Sequence, residues 1–199
     1  MLLRRLPLPC LLLLTGGCCT TGALPGLPLP DVRQSTGYTC SAAALQAVLA
    51  YYGIEEREDR LSQQLGATPQ AGAPPPAIVR VARAHGLTAE LRQGMTIEEL
   101  SEAVANGTPV LIALQAWGDK PPGGYRNDWD DGHYVVVVGV QGDEVLCEDP
   151  SILGSRGSLT RAELEERWHD TDGTTRYVHM GLLFGGPAPA PAPPRIPIE

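Results

Sequence analysis

Four side chains raise the first chemical question in this sequence: Gln34, Cys40, His133 and Asp149. Cys40 follows the loop "VRQSTGYT" and opens the apolar stretch "CSAAALQAVLAYYG". The thiolate is the nucleophilic form of cysteine. The first turn of a helix, with its free N–H groups and dipole, favours negative charge there. A neighbouring imidazole would complete the activation and later protonate a leaving group. An oxyanion formed on the substrate needs donors. Gln34, on the loop entering the helix, and the Cys40 backbone N–H are the candidates. Of the four histidines, His133 is the best base, because it opens an apolar strand directly after the loop "NDWDDG", at the edge of a cleft. His85 ends a helix, and His179 alternates within a strand and reads as structural. Asp149 ends the second arm of a hairpin and would orient the imidazole.

Each of these residues has a plainer reading. Cys40 could be a small buried residue, or could pair with Cys147 in a disulfide, since those are the two cysteines of the domain. Asp149, followed by Pro150, could be an ordinary turn residue. Register also matters. A two-residue turn at Gly142-Asp143 pairs Asp149 with Val136, roughly 10 Å along the strand from His133. A five-residue loop, 139–143, puts Asp149 opposite His133, and the catalytic reading is expected to need that second register. Trp129, just before His133, is a candidate substrate-contacting wall. The three aspartates around it are expected to form a solvated loop, since their spacing is not that of an EF-hand. "WHDTDG", 168–173, could line the cleft or bind a cation, but a helix-ending turn with a satisfied histidine is the favoured expectation. No Cys/His spacing suggests zinc.

The elements that must position these groups follow from periodicity and punctuation. Helices are expected over 41–52, with Leu45, Val48, Leu49 and Tyr52 on one face, over 56–65, and over "PPPAIVRVARAHG". "TIEELSEAVANG" and "TRAELEERW" each open with a capping box, Thr96 to Glu99 and Thr160 to Glu163. Strands are expected at 109–117, at "HYVVVVGV" with "EVLCED" as a hairpin, and at "TRYVHMGLLF". Helices against one antiparallel sheet make an α+β domain.

The 199 residues suit one domain, here 31–184. "MLLRRLPLPCLLLLTGGCC" has the layout of an export signal over 1–17, too short to span a bilayer permanently. Small residues before Cys18 resemble a lipoprotein signal. Lipidation of Cys18 and simple cleavage are the two expectations, with the cell envelope or periplasm as destination and a lipid anchor as the membrane contact. Losing Arg4 and Arg5 with the signal would move the net charge from −8 to −10. That acidity argues against nucleic acid as a partner. Residues 18–30 read as a Pro/Gly linker and 185–199 as a Pro/Ala-rich, disordered tail.

The set "QSTGYTCSAAALQAVLAYYG", "DGHYVVVVG" and "EDP" resembles the C39 family of cysteine peptidases, the bacteriocin-leader-processing type. The resemblance implies a papain-like fold, with the nucleophile at a helix N-terminus and helices packed on an antiparallel sheet. It also implies catalysis by Cys40, His133 and Asp149 with Gln34 at the oxyanion, on a peptide or protein substrate and without metal or organic cofactor. Ser41 departs from the glycine common after the family's cysteine. The chain carries its own export pattern rather than a fused transporter, so Gly-Gly cleavage specificity does not transfer. A cysteine amidase or acyltransferase, or a non-catalytic peptide-binding module on the same fold, are the alternatives.

Overall fold

The helix that begins at Cys40 is built almost wholly of small and apolar residues. It is therefore buried around nearly its whole circumference, not along one stripe as expected. This helix, α1 (Cys40–Tyr51), runs between the sheet and two further helices, α2 (Glu58–Leu65) and α3 (Pro75–Ala84). Gly66 closes α2 in the left-handed region at φ 70°, and prolines open α3. The structure is a computed structural model describing residues 26–118 and 120–189. The export signal, Cys18 and the end of the tail lie outside the described residues.

Six strands form one antiparallel sheet: β1 (Thr88–Arg92), β2 (Val110–Gln115), β3 (Gly132–Gln141), β4 (Glu144–Glu148), β5 (Gly157–Thr160) and β8 (Gly181–Gly185). Their spatial order is β1-β8-β2-β3-β4-β5. Between β1 and β2 lies α4 (Ile97–Ala105), and after β5 comes α5 (Arg161–Arg167). Both helices begin with the expected capping boxes at Thr96 and Thr160. Residues 169–171 (β6) and 176–178 (β7) form a separate two-stranded ribbon. Each face of the sheet carries its own core. Leu111, Ala113, Tyr134, Val136 and Val138 pack with α1 to α3. Ile112, Leu114, Val135, Val137 and Cys147 pack with Leu100 of α4 and Leu164 of α5. Covered on both sides, β2 is buried throughout, as its unbroken apolar run anticipates.

Three expectations need correction. The last strand is broken: His179, at φ 48°, separates β7 from β8, and its ring stacks on Trp168 at 4.9 Å. The carbonyls of Val178 and His179 accept from Gly94 and Met95, so this backbone pairs with the β1–α4 loop. Residues 26–30, expected as linker, pack onto the sheet. The Leu27 N–H donates to Val138 O at 2.7 Å, and Leu29 is buried.

The third correction concerns register. The hairpin uses the tight Gly142-Asp143 turn, with Gln141 opposite Glu144, so the five-residue loop is not needed. A β-bulge at Val138 then shifts the pairing, so that Gly139 faces Leu146 but Val137 faces Cys147. Without the bulge Asp149 would fall in line with Val136 and point away from His133's side. With it, Asp149 falls in line with Val135, on the face His133 shares. One inserted residue inverts the side-chain parity of everything beyond it.

Candidate active site

Cys40 is the first residue of α1, 8% exposed as a residue, at the margin of a cleft of about 420 Å³. Thr39 precedes it without a side-chain cap, which leaves the helix-opening N–H groups free of that competitor. His133 is the second residue of β3, fully covered between the cleft-lining residues Gly132 and Tyr134, with the Trp117 ring 5.0 Å away at a tilt of 52°. Trp117 itself is 44% exposed, a partial lid over the imidazole.

The imidazole is held from two sides. Its Nε2 lies 2.7 Å from Asp149 Oδ1. Cys40 is the ring's other charged neighbour, and a thiolate there favours the imidazolium. Burial works against the imidazolium, but the Asp149 and Cys40 interactions outweigh it and raise the His133 pKa to about 9. Burial likewise opposes the Asp149 carboxylate, and the His133 contact overcomes it, holding Asp149 below its ordinary range. The same oxygen of Asp149 accepts from the Ser151 N–H at 2.8 Å and the Ser151 hydroxyl at 2.7 Å. The turn role and the imidazole contact therefore coexist in one residue.

Gln34 reaches this corner through its backbone. Its N–H donates to Pro150 O at 3.0 Å, beside Asp149, and Arg33 Nη1 donates to Ser151 O at 2.8 Å. The Gln34 side chain folds back on its own loop, Nε2 donating to Thr36 O at 2.8 Å. One of its two amide protons remains uncommitted. Further along, the fully buried Glu148 carboxylate accepts from the Val32 N–H at 2.8 Å and pairs with Arg156, tying the entry loop to β4. Burial pushes Glu148 up to about 7.

Trp129 lines the cleft with Cys40. Its ring lies 4.6 Å from that of His169, whose Nε2 bonds Asp128 O at 2.7 Å. His169 is thus the satisfied histidine expected of "WHDTDG". The rest of that motif lines the cleft, the less favoured of its two expected roles, since Asp170, Thr171 and Asp172 form one wall. Asp170 packs against Gly132. A Cβ there would fall 2.4 Å from Asp170 Oδ1, so the glycine before His133 makes room for that carboxylate. Asp128 and Asp131 instead pair with Lys120. Among the described residues, no group of three or more His, Cys, Asp or Glu is placed to hold a metal ion. Cys40 and Cys147 are both free and belong to cores on opposite faces of the sheet, so the disulfide reading is set aside. His85 lies at the surface, 2.9 Å from Gln64 Oε1.

The fold that carries these three side chains is one that known proteins share. Residues 27–175 match the model of the Peptidase_C39 like family. The chain belongs to that family of cysteine peptidases. An uncharacterized protein of Methanothermobacter marburgensis is 30% identical over 121 residues, 61% of this chain and 71% of the relative. Among solved structures, a double glycine motif protease from an AMS/PCAT transporter, in complex with its leader peptide, is 20% identical with a TM-score of 0.58. That match covers 80% of this chain and 92% of the other. The peptidase domain of Streptococcus ComA is 18% identical with a TM-score of 0.56, over 78% and 96% of the two chains. A C39-like protein from Bacillus anthracis is 17% identical with a TM-score of 0.60, over 79% and 94%. These structural likenesses establish the α+β fold.

Proposed function

We propose that the protein hydrolyses peptide bonds through Cys40, His133, Asp149 and Gln34. The supporting observation is the imidazole gripped between Asp149 at 2.7 Å and the thiol at the tip of α1, on the rim of an open cleft. With its pKa near 9, His133 is an imidazolium at neutral pH, the partner a Cys40 thiolate requires. Sγ attacks the scissile carbonyl carbon, and the C=O π electrons move to oxygen. The Cys40 N–H, at the start of the first helical turn, and the second proton of the Gln34 amide receive that oxyanion. Collapse re-forms the carbonyl and breaks the C–N bond, while His133 gives its proton to the departing amine. Water then attacks the thioester with His133 as base, releasing the carboxylic acid and the thiolate. Asp149 holds the ring in the tautomer and orientation both halves need.

The substrate is a peptide or a protein segment, since the cleft is an open groove and one solved relative holds a leader peptide. Cys18 is proposed as a lipid attachment point of an exported form, tested by metabolic labelling with radioactive palmitate in wild type and Cys18→Ala. Turnover of a peptide library by wild type and by Cys40→Ala tests the catalytic proposal. Cleavage lost with the thiol supports it, and equal cleavage by both proteins refutes it.

A further inference from the structure

The wall opposite Cys40 carries a carboxylate that the proposed chemistry does not use. Asp170 lies over Gly132 and lines the same cleft as the nucleophile. Its surroundings leave it poorly balanced. The one side-chain hydrogen bond it receives is from Gln115 Nε2, at 3.3 Å to Oδ1. Among the described residues no lysine or arginine forms an ion pair with it. Burial accordingly drives its pKa up to about 6, against the help of the Thr171 amide and Gln115. A half-buried carboxylate with so little compensation gains from a cation brought to it.

The rest of the cleft suits a cation on an aliphatic stem. Trp117, Trp129, Tyr134 and Tyr177 present aromatic surface around it. One of these rings already holds a guanidinium, since Arg176 lies 4.6 Å above the centre of Trp129. Two other carboxylates border the cleft but differ from Asp170 in availability. The oxygens of Asp172 are taken by the N–H groups of Thr174 and Thr175 and by the Tyr177 hydroxyl. Asp130 is exposed on the rim, where water screens it. Arg176 and the His133 imidazolium oppose their field, but three carboxylates against two cations still favour a positive ligand. The volume, about 420 Å³, is that of an ordinary small-ligand site.

We propose that Asp170 is a specificity-determining residue that accepts a lysine or arginine side chain of the peptide beside the scissile bond. This rests on the catalytic reading for its link to cleavage, though not for its link to binding. The occupant is a peptide side chain rather than a free amine, because the carboxylate and the nucleophile share one groove.

The test uses fluorescein-labelled decapeptide pools, randomised except for a central Lys, Gln or Glu. Binding to the full chain carrying Cys40→Ala is read by fluorescence anisotropy, and cleavage by wild type is read by mass spectrometry. The Lys pool is expected to bind about tenfold more tightly than the Gln pool and to be cleaved at least about tenfold faster, with the Glu pool weakest. Asp170→Asn, placed in the Cys40→Ala background for binding, should bring the Lys-to-Gln ratio to within about twofold. Ratios near one in the parent proteins, or a ratio unchanged by Asp170→Asn, would overturn the proposal. If Asp170→Asn does not fold, the ratios of the parent proteins decide alone. Selective binding with no Cys40-dependent cleavage would refute the catalytic reading and leave the subsite standing. Cys40-dependent cleavage blind to charge would do the reverse.

Discussion

Cys40 and Cys147 share a residue type, a free thiol and a place in an apolar cluster, but they stand on opposite faces of one sheet. Cys147 is in mid-strand, 3% exposed, with burial as the main influence and the carboxylates of Asp149 and Glu148 adding to it. Its thiol is pushed up to about 12, so it carries a proton at any physiological pH. Cys40 opens a helix, borders a cleft and has an imidazolium for a neighbour. Burial is common to both. What separates them is the element each belongs to and the sign of the nearest charge.

The strongest way to break this comparison is to delete each sulfur in turn. Cys40→Ala should reduce peptide turnover by at least about 10³-fold with little change in thermal stability. Cys147→Ala should leave turnover within about twofold and lower stability by about 1–2 kcal/mol, through lost packing between β4 and the far core. Turnover assays with thermal denaturation of both variants check the pair, and similar effects from the two substitutions would erase the distinction.

Asp149→Asn sharpens the comparison by removing the group that sustains the imidazolium. Turnover should fall by about 10²-fold or more. A histidine whose folded pKa is raised from 6.5 to about 9 contributes stability that is fully present below 6.5 and lost as pH rises through 9. The wild-type kcat/KM should therefore decline on its alkaline side near 9, and in Asp149→Asn that limb should move toward neutrality. A limb that stays in place would mean that Asp149 does not control the imidazole.

Thiol labelling reads the same difference without a substrate. At neutral pH iodoacetamide should modify Cys40 at least about tenfold faster than Cys147 in the native protein, as followed by mass spectrometry. His133→Ala should slow Cys40 and leave Cys147 unchanged. Equal, slow labelling of both thiols would favour a binding module over an enzyme.

Much of this was legible in the chain because local chemistry wrote it. The helix tip at Cys40, the two capping boxes and the Gly-closed helices depend on neighbours a few residues apart. The register of β3 against β4 was not legible in that way. The tight Gly142-Asp143 turn was visible, but the bulge at Val138 depends on what packs against the strand, including residues more than 100 positions earlier. "WHDTDG" offered itself as a cleft lining, but that Asp170 would be the carboxylate set over Gly132 was not legible, for the same reason. Its place in the cleft is set by a ribbon that pairs β6 with β7 and by Gln115 of β2, and nothing within "WHDTDG" announces either. The break at His179 likewise reflects pairing of the 178–179 backbone with the loop at 94–95 rather than any local breaker.

The smallest expected effect probes how the two faces are kept in register. Val138 is the residue the bulge inserts, and its carbonyl is taken by Leu27 from the N-terminal segment. Gly26, at φ 150°, passes so close that a Cβ would lie 2.9 Å from that same oxygen. Gly26→Ala must therefore lift the segment away from the bulge. The loss should be about 1–2 kcal/mol of stability, within the ordinary range for a single strained position. Because the bulge sets the side to which Asp149 points, the alkaline limb of kcat/KM should also shift slightly downward, in the direction of Asp149→Asn but less far. Denaturation curves and pH profiles of Gly26→Ala test this together. A stability loss with an unmoved pH profile would show that the bulge holds its register without the segment that covers it.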